Sequence, residues 1–214
     1  MPAEVVPVTP RRRAATAAAI ARGFLDNEVW VWMVPDERRR RRLLDRYYRV
    51  MIKRIFAPRG GAWTTADAAG GALWAPPGTW PLTPAETRWD LYALLPWIGI
   101  GGIRRGHDVD RVMGGRHPKR PHYYLQTLSI DPARQRRGYG SALLRPLLER
   151  CDAEGMPAYL ETQRESNIPF YRRFGFVEDT PIRLPGGPPL WPMWREPAVA
   201  AGPEHADAAV GEPA

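Results

Sequence analysis

One stretch, "YYLQTLSIDPARQRRGYGSALLRPLLERC" (residues 123–151), constrains the fold more than any other part of this 214-residue chain. Tyr123 to Ile130 are rich in aromatic and β-branched types and read as a strand. Asp131-Pro132 ends it. Leu143, Leu144, Leu147, Leu148 and Cys151 then recur at helical spacing, with Pro146 predicting a kink. Between strand and helix lies Gln135-x-x-Gly138-x-Gly140, flanked by Arg134, Arg136 and Arg137. A strand that turns abruptly into a helix leaves the first helical N–H groups unpaired and facing outward. Glycines there remove the Cβ atoms that would hold a phosphate away from those amides. The stretch therefore reads as an anion site within an α/β unit, with pyrophosphate as the natural guest, or as a bare structural turn. Two other phosphate motifs are absent. There is no GxxxxGK[ST], and no GxGxxG with a downstream acid.

The rest of the chain extends this unit into one α/β domain. "EVVPV" reads as a short strand, and Thr9-Pro10 as the cap of a helix carrying Ala17, Ala21 and Phe24 on one face. A second helix is expected from Asp36 to Phe56, with Leu44, Tyr47, Tyr48, Met51 and Ile55 as its buried stripe. The run Arg38 to Arg42 at its start reads as a solvated face, with nucleic-acid contact as the sharper alternative. Strands are expected over 62–66 and 71–75. Thr83, Pro84 and Glu86 form a capping box for a helix ending near Pro96. Gly99, Gly101 and Gly102 make residues 97–120 a broken helix and loop. "MPAYLET" is the next strand, "NIPFYRRF" a short helix, and "GFVEDTPI" and "PLWPMWR" are final strands. Residues 197–214 have the composition of a disordered tail.

In "NIPFYRRFGF", Asn167 stands four residues before Tyr171, which places both on one helical face. Taken with "LQTLSIDPARQRRGYGSALL", this segment resembles the acetyl-CoA-binding core of the GNAT superfamily of N-acetyltransferases, over about residues 121–180. "SALLRPLLERCDAEGMPAYLET" further resembles the puromycin N-acetyltransferase group, which also carries a proline at the place of Pro146. The N-terminal half resembles that group only loosely, as in "ALWAPPG". The resemblance implies a mixed central sheet whose splayed central strands admit acetyl-CoA as co-substrate, with no metal. It implies that the main chain of Leu128, Ser129 and Ile130 pairs with the pantetheine arm. Pyrophosphate would be held by the amides of Arg136, Arg137, Gly138, Tyr139, Gly140 and Ser141, with Gln135 a further cofactor-binding residue. Asn167 would contact the pantetheine region, and Tyr171 would sit beside the sulfur.

The implied reaction is attack of a neutral amine on the thioester, which needs a base, an oxyanion donor and a proton for the leaving thiolate. Tyr171 is the candidate acid or hydrogen-bond donor, with core packing as its alternative. The strand before the loop carries Tyr124, Leu125, Gln126 and Thr127, so the carboxylate common there in the family is missing. Glu161 is the candidate base, acting directly or through water; a substrate-binding carboxylate or a solvated strand end are its other readings. Asp26 and His122 are further candidates. Residues 1–120 would supply the acceptor pocket, with Asp26, Trp30, Trp32, Trp74 and Trp97 as candidate walls. The expected acceptor is a small-molecule amine, such as an aminonucleoside antibiotic or a metabolite. The alternatives are a protein N-terminus or lysine, or a non-catalytic basic module that binds nucleic acid.

Composition limits these options. The net charge of +8 permits an anionic partner, but Lys53 and Lys119 are the only lysines, so arginine is spread by general usage and nucleic acid is not the expected partner. The lone cysteine, Cys151, excludes an internal disulfide and fits a reducing cytoplasm. In "RRRAATAAAIARGF", Arg22 interrupts the apolar run, which makes an amphipathic helix a better reading than a signal peptide. No run reaches the length of a membrane span. A monomer or homodimer is expected.

Overall fold

The structure, a computed structural model, describes residues 3–198. The tail expected from residue 197 lies outside the described residues from 199 onward.

Eight strands form the sheet, in the order β1-β2-β3-β4-β5-β8-β6, with β7 pairing β8. They are β1 (Val5–Pro7), β2 (Ala62–Thr65), β3 (Gly70–Ala75), β4 (Tyr123–Ile130), β5 (Ala158–Thr162), β6 (Val177–Glu178), β7 (Ile182–Arg183) and β8 (Pro189–Arg195). Every neighbouring pair is antiparallel except β4 and β5. The parallel pair follows from the helix between its strands, since a crossover returns the chain in the same direction.

That central pair positions the site. β4 and β5 pair only at Tyr123↔Ala158, Tyr124↔Tyr159 and Leu125↔Leu160, although β4 runs on to Ile130 and β5 to Thr162. Beyond Leu125 the strands part. On its other edge β4 stays paired with β3 as far as Ile130, with a bulge at Gln126: Leu73 faces Thr127, and Trp74 faces Leu125. A bulge adds a residue to one strand and bends it locally, and this one stands at the point of the split.

Two apolar cores cover the two faces. On one side α1 (Arg13–Gly23), α3 (Glu37–Met51) and α4 (Pro84–Arg116) pack Ile20, Leu43, Leu44, Met51 and Ile98 toward Leu73, Tyr124 and Tyr159. On the other, α5 (Tyr139–Ala153) and α6 (Ile168–Arg172) pack Leu143, Leu144, Leu147 and Tyr171 toward Leu125, Leu160 and Met193.

Several local expectations are met by visible devices. Asp36 caps α3 by accepting from the Arg39 amide at 2.7 Å. Thr83 and Glu86 close the capping box of α4 in both directions, at 3.3 and 2.9 Å. Elsewhere the structure corrects the sequence reading. α3 gives way at Met51 to a wide turn of π type over Ile52–Phe56. α4 does not end at Pro96 but continues to Arg116, broken only at Gly99, whose φ of 69° and ψ of 165° are not helical. Glycine tolerates that positive φ, so the break falls there and the helix resumes. α5 runs without interruption through Pro146, so no break accompanies that proline. A short helix, α2 (Glu28–Met33), was not expected; Asn27 caps it by accepting from Val29 and Trp30. "GFVEDTPI" forms two two-residue strands rather than one. Within the arginine run, Arg40 is not solvated but 5% exposed, because its guanidinium donates to the carbonyls of Leu25, Val34 and Pro35.

Candidate active site

The parting of β4 and β5 opens a cavity of about 550 Å³. Gln126, Leu128, Ser129 and Ile130 line one wall, Leu160 to Arg164 the other, and Asn167, Phe170 and Tyr171 a third. Because the β4–β5 ladder has stopped, main-chain groups of β4 on this edge lack a strand partner. The Ser129 side chain is turned the other way, donating to the Ile20 carbonyl at 3.1 Å. An extended polar ligand can therefore add to this edge as a strand would.

At one end of the cavity lies the loop before α5. The Asp131 carboxylate accepts from the Ala133 amide and from Arg22, and the Gln135 side chain donates to the Ile130 carbonyl at 3.2 Å. Arg136 takes a left-handed φ of 61°, and Gly138 follows at 81° as the N-cap of α5. Gly138 offers no capping side chain, and the first turn's amides open on the cavity at Tyr139, Gly140 and Ser141. The two glycines have different duties. A Cβ on Gly138 would meet nothing within 4 Å, so its conformation requires glycine. A Cβ on Gly140 would come within 3.3 Å of the Phe170 ring, so packing favours glycine there, and a larger residue would have to push the ring. This divides a role that the sequence reading gave equally to both. These amides, beside Arg134 and Arg136, fit a pyrophosphate.

At the other end stand the candidate acid and base. Glu161 follows Leu160, the last residue of β5 paired with β4, and its Oε1 is closed from solvent without a hydrogen-bond partner. Burial pushes its carboxyl up to about 7; the nearby Tyr124 and Tyr159 hydroxyls oppose the rise without offsetting it. Tyr171 is 8% exposed, and burial raises its phenol above the usual tyrosine range. Asn167 donates to the Thr162 hydroxyl at 3.2 Å, which ties the start of α6 to the end of β5.

Residues 75–176, from the end of β3 through α6, match the family model described as acetyltransferase (GNAT) family. The chain carries a GNAT acetyltransferase domain. Its mixed sheet with flanking helices is the fold of the solved acyltransferases that it resembles, and the protein is an acetyl-CoA-dependent N-acetyltransferase. An uncharacterised N-acetyltransferase of the fission yeast Schizosaccharomyces pombe is 27% identical over 204 residues, covering 88% of this chain and 81% of that protein. A Corynebacterium glutamicum structure described as histone acetyltransferase HPA2 and related acetyltransferase aligns with a TM-score of 0.70, at 23% identity over 94% of this chain and all of that one. A polyamine N-acetyltransferase of Drosophila melanogaster aligns at 0.52, with 14% identity over 90% of this chain and 98% of that one.

In this acetyltransferase most sequence-derived site residues meet in the one cavity. Leu128, Ser129, Ile130, Gln135, Arg136, Gly138, Tyr139, Gly140, Ser141, Glu161, Asn167 and Tyr171 all line it. Arg137 does not; it is exposed outside the lining residues. Nor do the proposed acceptor walls. Trp74 is 1% exposed in the core beneath α5, and Trp30, Trp32 and Trp97 pack against the opposite core. Asp26 contributes its carbonyl, which accepts from Arg164 at 2.6 Å, and its side chain is not part of the lining. His122 is likewise outside the cavity: its Nε2 lies 3.1 Å from that of His117, and burial lowers its pKa.

Asn27, Gln163 and Arg164 were missed. The Asn27 amide donates to Gln163 at 3.2 Å, and both residues line the cavity. Its N-cap position before α2 was readable in "LDNEVW", but the contact with residue 163 is tertiary and left no local trace.

Proposed function

We propose that this acetyltransferase moves an acetyl group from acetyl-CoA to the primary amine of a small molecule. Glu161 takes the amine proton, and Tyr171 donates a hydrogen bond to the departing sulfur. The reading is carried by the meeting in one cavity of open α5 amides, an unpaired β4 edge, a buried carboxyl near neutrality and a buried phenol.

Magnitudes support these roles. Moving a proton from an ammonium near 10.4 to an ordinary carboxylate near 4.3 is uphill by about 8 kcal/mol. With the carboxyl at about 7, the same transfer costs only about 5 kcal/mol. Burial thus turns a poor base into a usable one that is still half ionised at neutral pH. The opposite argument applies to Tyr171. A phenol raised above 10 cannot readily protonate a thiolate whose thiol titrates near 8.5, so it keeps its proton and stabilises the sulfur as a donor.

Two contacts beside the cavity support a small amine as acceptor. Asn27 bridges to Gln163, and Arg164 holds the Asp26 carbonyl, which draws the α1–α2 turn toward the end of β5. An extended peptide would have to part both contacts. The segments shared with the puromycin-acetylating group make an aminonucleoside one acceptor to try. The single buried cysteine supports a reducing, cytoplasmic setting.

The test is CoA release from acetyl-CoA with a panel of aminonucleosides, polyamines, arylalkylamines and lysine-bearing peptides. Turnover with a small amine and little with peptides is expected. Turnover confined to peptides would overturn the acceptor class. Steeply salt-dependent binding to DNA without turnover would be the mark of a basic binding module instead.

A further inference from the structure

Along the seam between α3 and α4, arginines and aromatic residues meet in register. Arg54, in the turn after α3, lies over the Trp89 ring at 4.1 Å. Arg46 lies over Tyr92 at 4.2 Å and also donates to the Tyr92 carbonyl. Arg42 lies over Trp97 at 5.3 Å. Arg39 reaches Gly99 so closely that a Cβ there would stand 3.1 Å from its guanidinium. The two helices run antiparallel, so descending α3 numbers meet ascending α4 numbers.

These cations are not consumed by acids. The α3 carboxylates Glu37 and Asp45 are already paired with Arg41 and Arg49. Among the described residues, Arg39, Arg42 and Arg46 have no carboxylate partner.

Aliphatic side chains on α4 stand out among the same residues. Leu91, Leu95 and Ile100 are 47, 54 and 77% exposed. Gly99 and Gly101 flank Ile100 with no side chains, and the non-helical turn at Gly99 makes room for Arg39 beside it. Single exposed aliphatics need no explanation. A set of them beside half-buried Trp rings, the exposed Tyr92 and unpaired arginines is different, for that is the composition of a helix lying at a lipid interface.

We infer that the α3–α4 face docks on an anionic lipid surface, with Leu91, Leu95 and Ile100 entering the acyl boundary and Arg39, Arg42 and Arg46 meeting headgroup phosphates. Charge complementarity selects anionic lipid. Lipid also accepts projecting aliphatic side chains without the matching pocket that a protein partner must provide. Among the described residues no helix is long and apolar enough to cross a membrane, so the protein would lie on the surface.

Co-sedimentation of the full chain with phosphatidylcholine vesicles, with and without phosphatidylglycerol, tests this. Binding is expected only where phosphatidylglycerol is present, and it should weaken as salt rises. Arg42→Gln and Arg46→Gln should each weaken it about fivefold. Ile100→Asp should weaken it at least about tenfold. All three should keep the wild-type circular dichroism and acetyl-CoA binding. Equal binding to both vesicle types, or none to either, overturns the inference. So does loss in the arginine variants with Ile100→Asp unchanged, which would reduce the face to plain charge. If Ile100→Asp instead dissolves a dimer that never bound vesicles, the face belongs to a second copy and the lipid assignment falls.

Discussion

Glu161 is held in an environment that costs the fold and serves the reaction. Its carboxyl titrates at about 7 in the native state, against about 4.3 in an unfolded chain. Between those values the native state binds the extra proton, so stability falls as pH rises through that window. The full cost, up to about 4 kcal/mol, is present above pH 7 and absent below about pH 4. Glu161→Gln removes it. The variant should melt higher than wild type at pH 8 and equally at pH 4, while turnover falls by about 10²–10⁴. In the wild type kcat/KM should rise with pH to a plateau above about 7, and the step should vanish in the variant. Retained turnover in Glu161→Gln would remove the residue from the base role. Tyr171→Phe makes the complementary case. It should lower turnover about tenfold or more and leave acetyl-CoA affinity near wild type, since the lost bond forms only as charge reaches the sulfur. A large loss of acetyl-CoA affinity instead would assign Tyr171 to packing.

The element that most repays attention is α5 with the turn that opens it. Gly138 sits at φ 81°, where a Cβ costs roughly 1–2 kcal/mol. Gly138→Ala should lower Tm by a few degrees and weaken acetyl-CoA binding, because the amides behind it lose their aim. Gly140→Ala should act differently. The new methyl pushes the Phe170 ring, 3.3 Å away, so the effect should reach α6 and appear as altered chemical shifts at Phe170 and Tyr171. Equal disturbance of α6 by both substitutions would refute the division of labour. This element was legible in the sequence because strand, turn, glycine spacing and helix lie within thirty consecutive residues, and each cue is local. α4 was not legible to the same degree. Its glycines argue for a loop, yet Ala93, Ile98 and Gly102 are buried against α2 and α3. Packing restored a helix that propensity alone would have ended, and left the break at Gly99.

At the scale of the molecule, the split sheet divides what the sequence could show from what it could not. The donor side is written in two nearby segments, and eleven of its expected residues meet in one cavity. The acceptor side is assembled from residues far apart in the chain, and tryptophan content pointed the wrong way. Trp74 fills the core behind β3 rather than a pocket, because alternation on a strand buried on both faces leaves no exposed side. Arg40 shows the same limit, since only the tertiary arrangement reveals three carbonyls waiting for it. The split also dictates how the molecule should respond to its donor. β4 and β5 are joined only as far as Leu125 and Leu160, so beyond that point their facing edges have no strand partner and a ligand in the cleft would supply contacts there. Acetyl-CoA at a hundred times its Kd should stabilise the fold by about 2.7 kcal/mol. Hydrogen exchange should locate that gain at Gln126–Ile130, Tyr139–Ser141 and Glu161–Asn167, with little change at Val5–Pro7 or Ala62–Thr65 across the sheet. Protection spread evenly over all eight strands would mean that the cleft is not where acetyl-CoA binds.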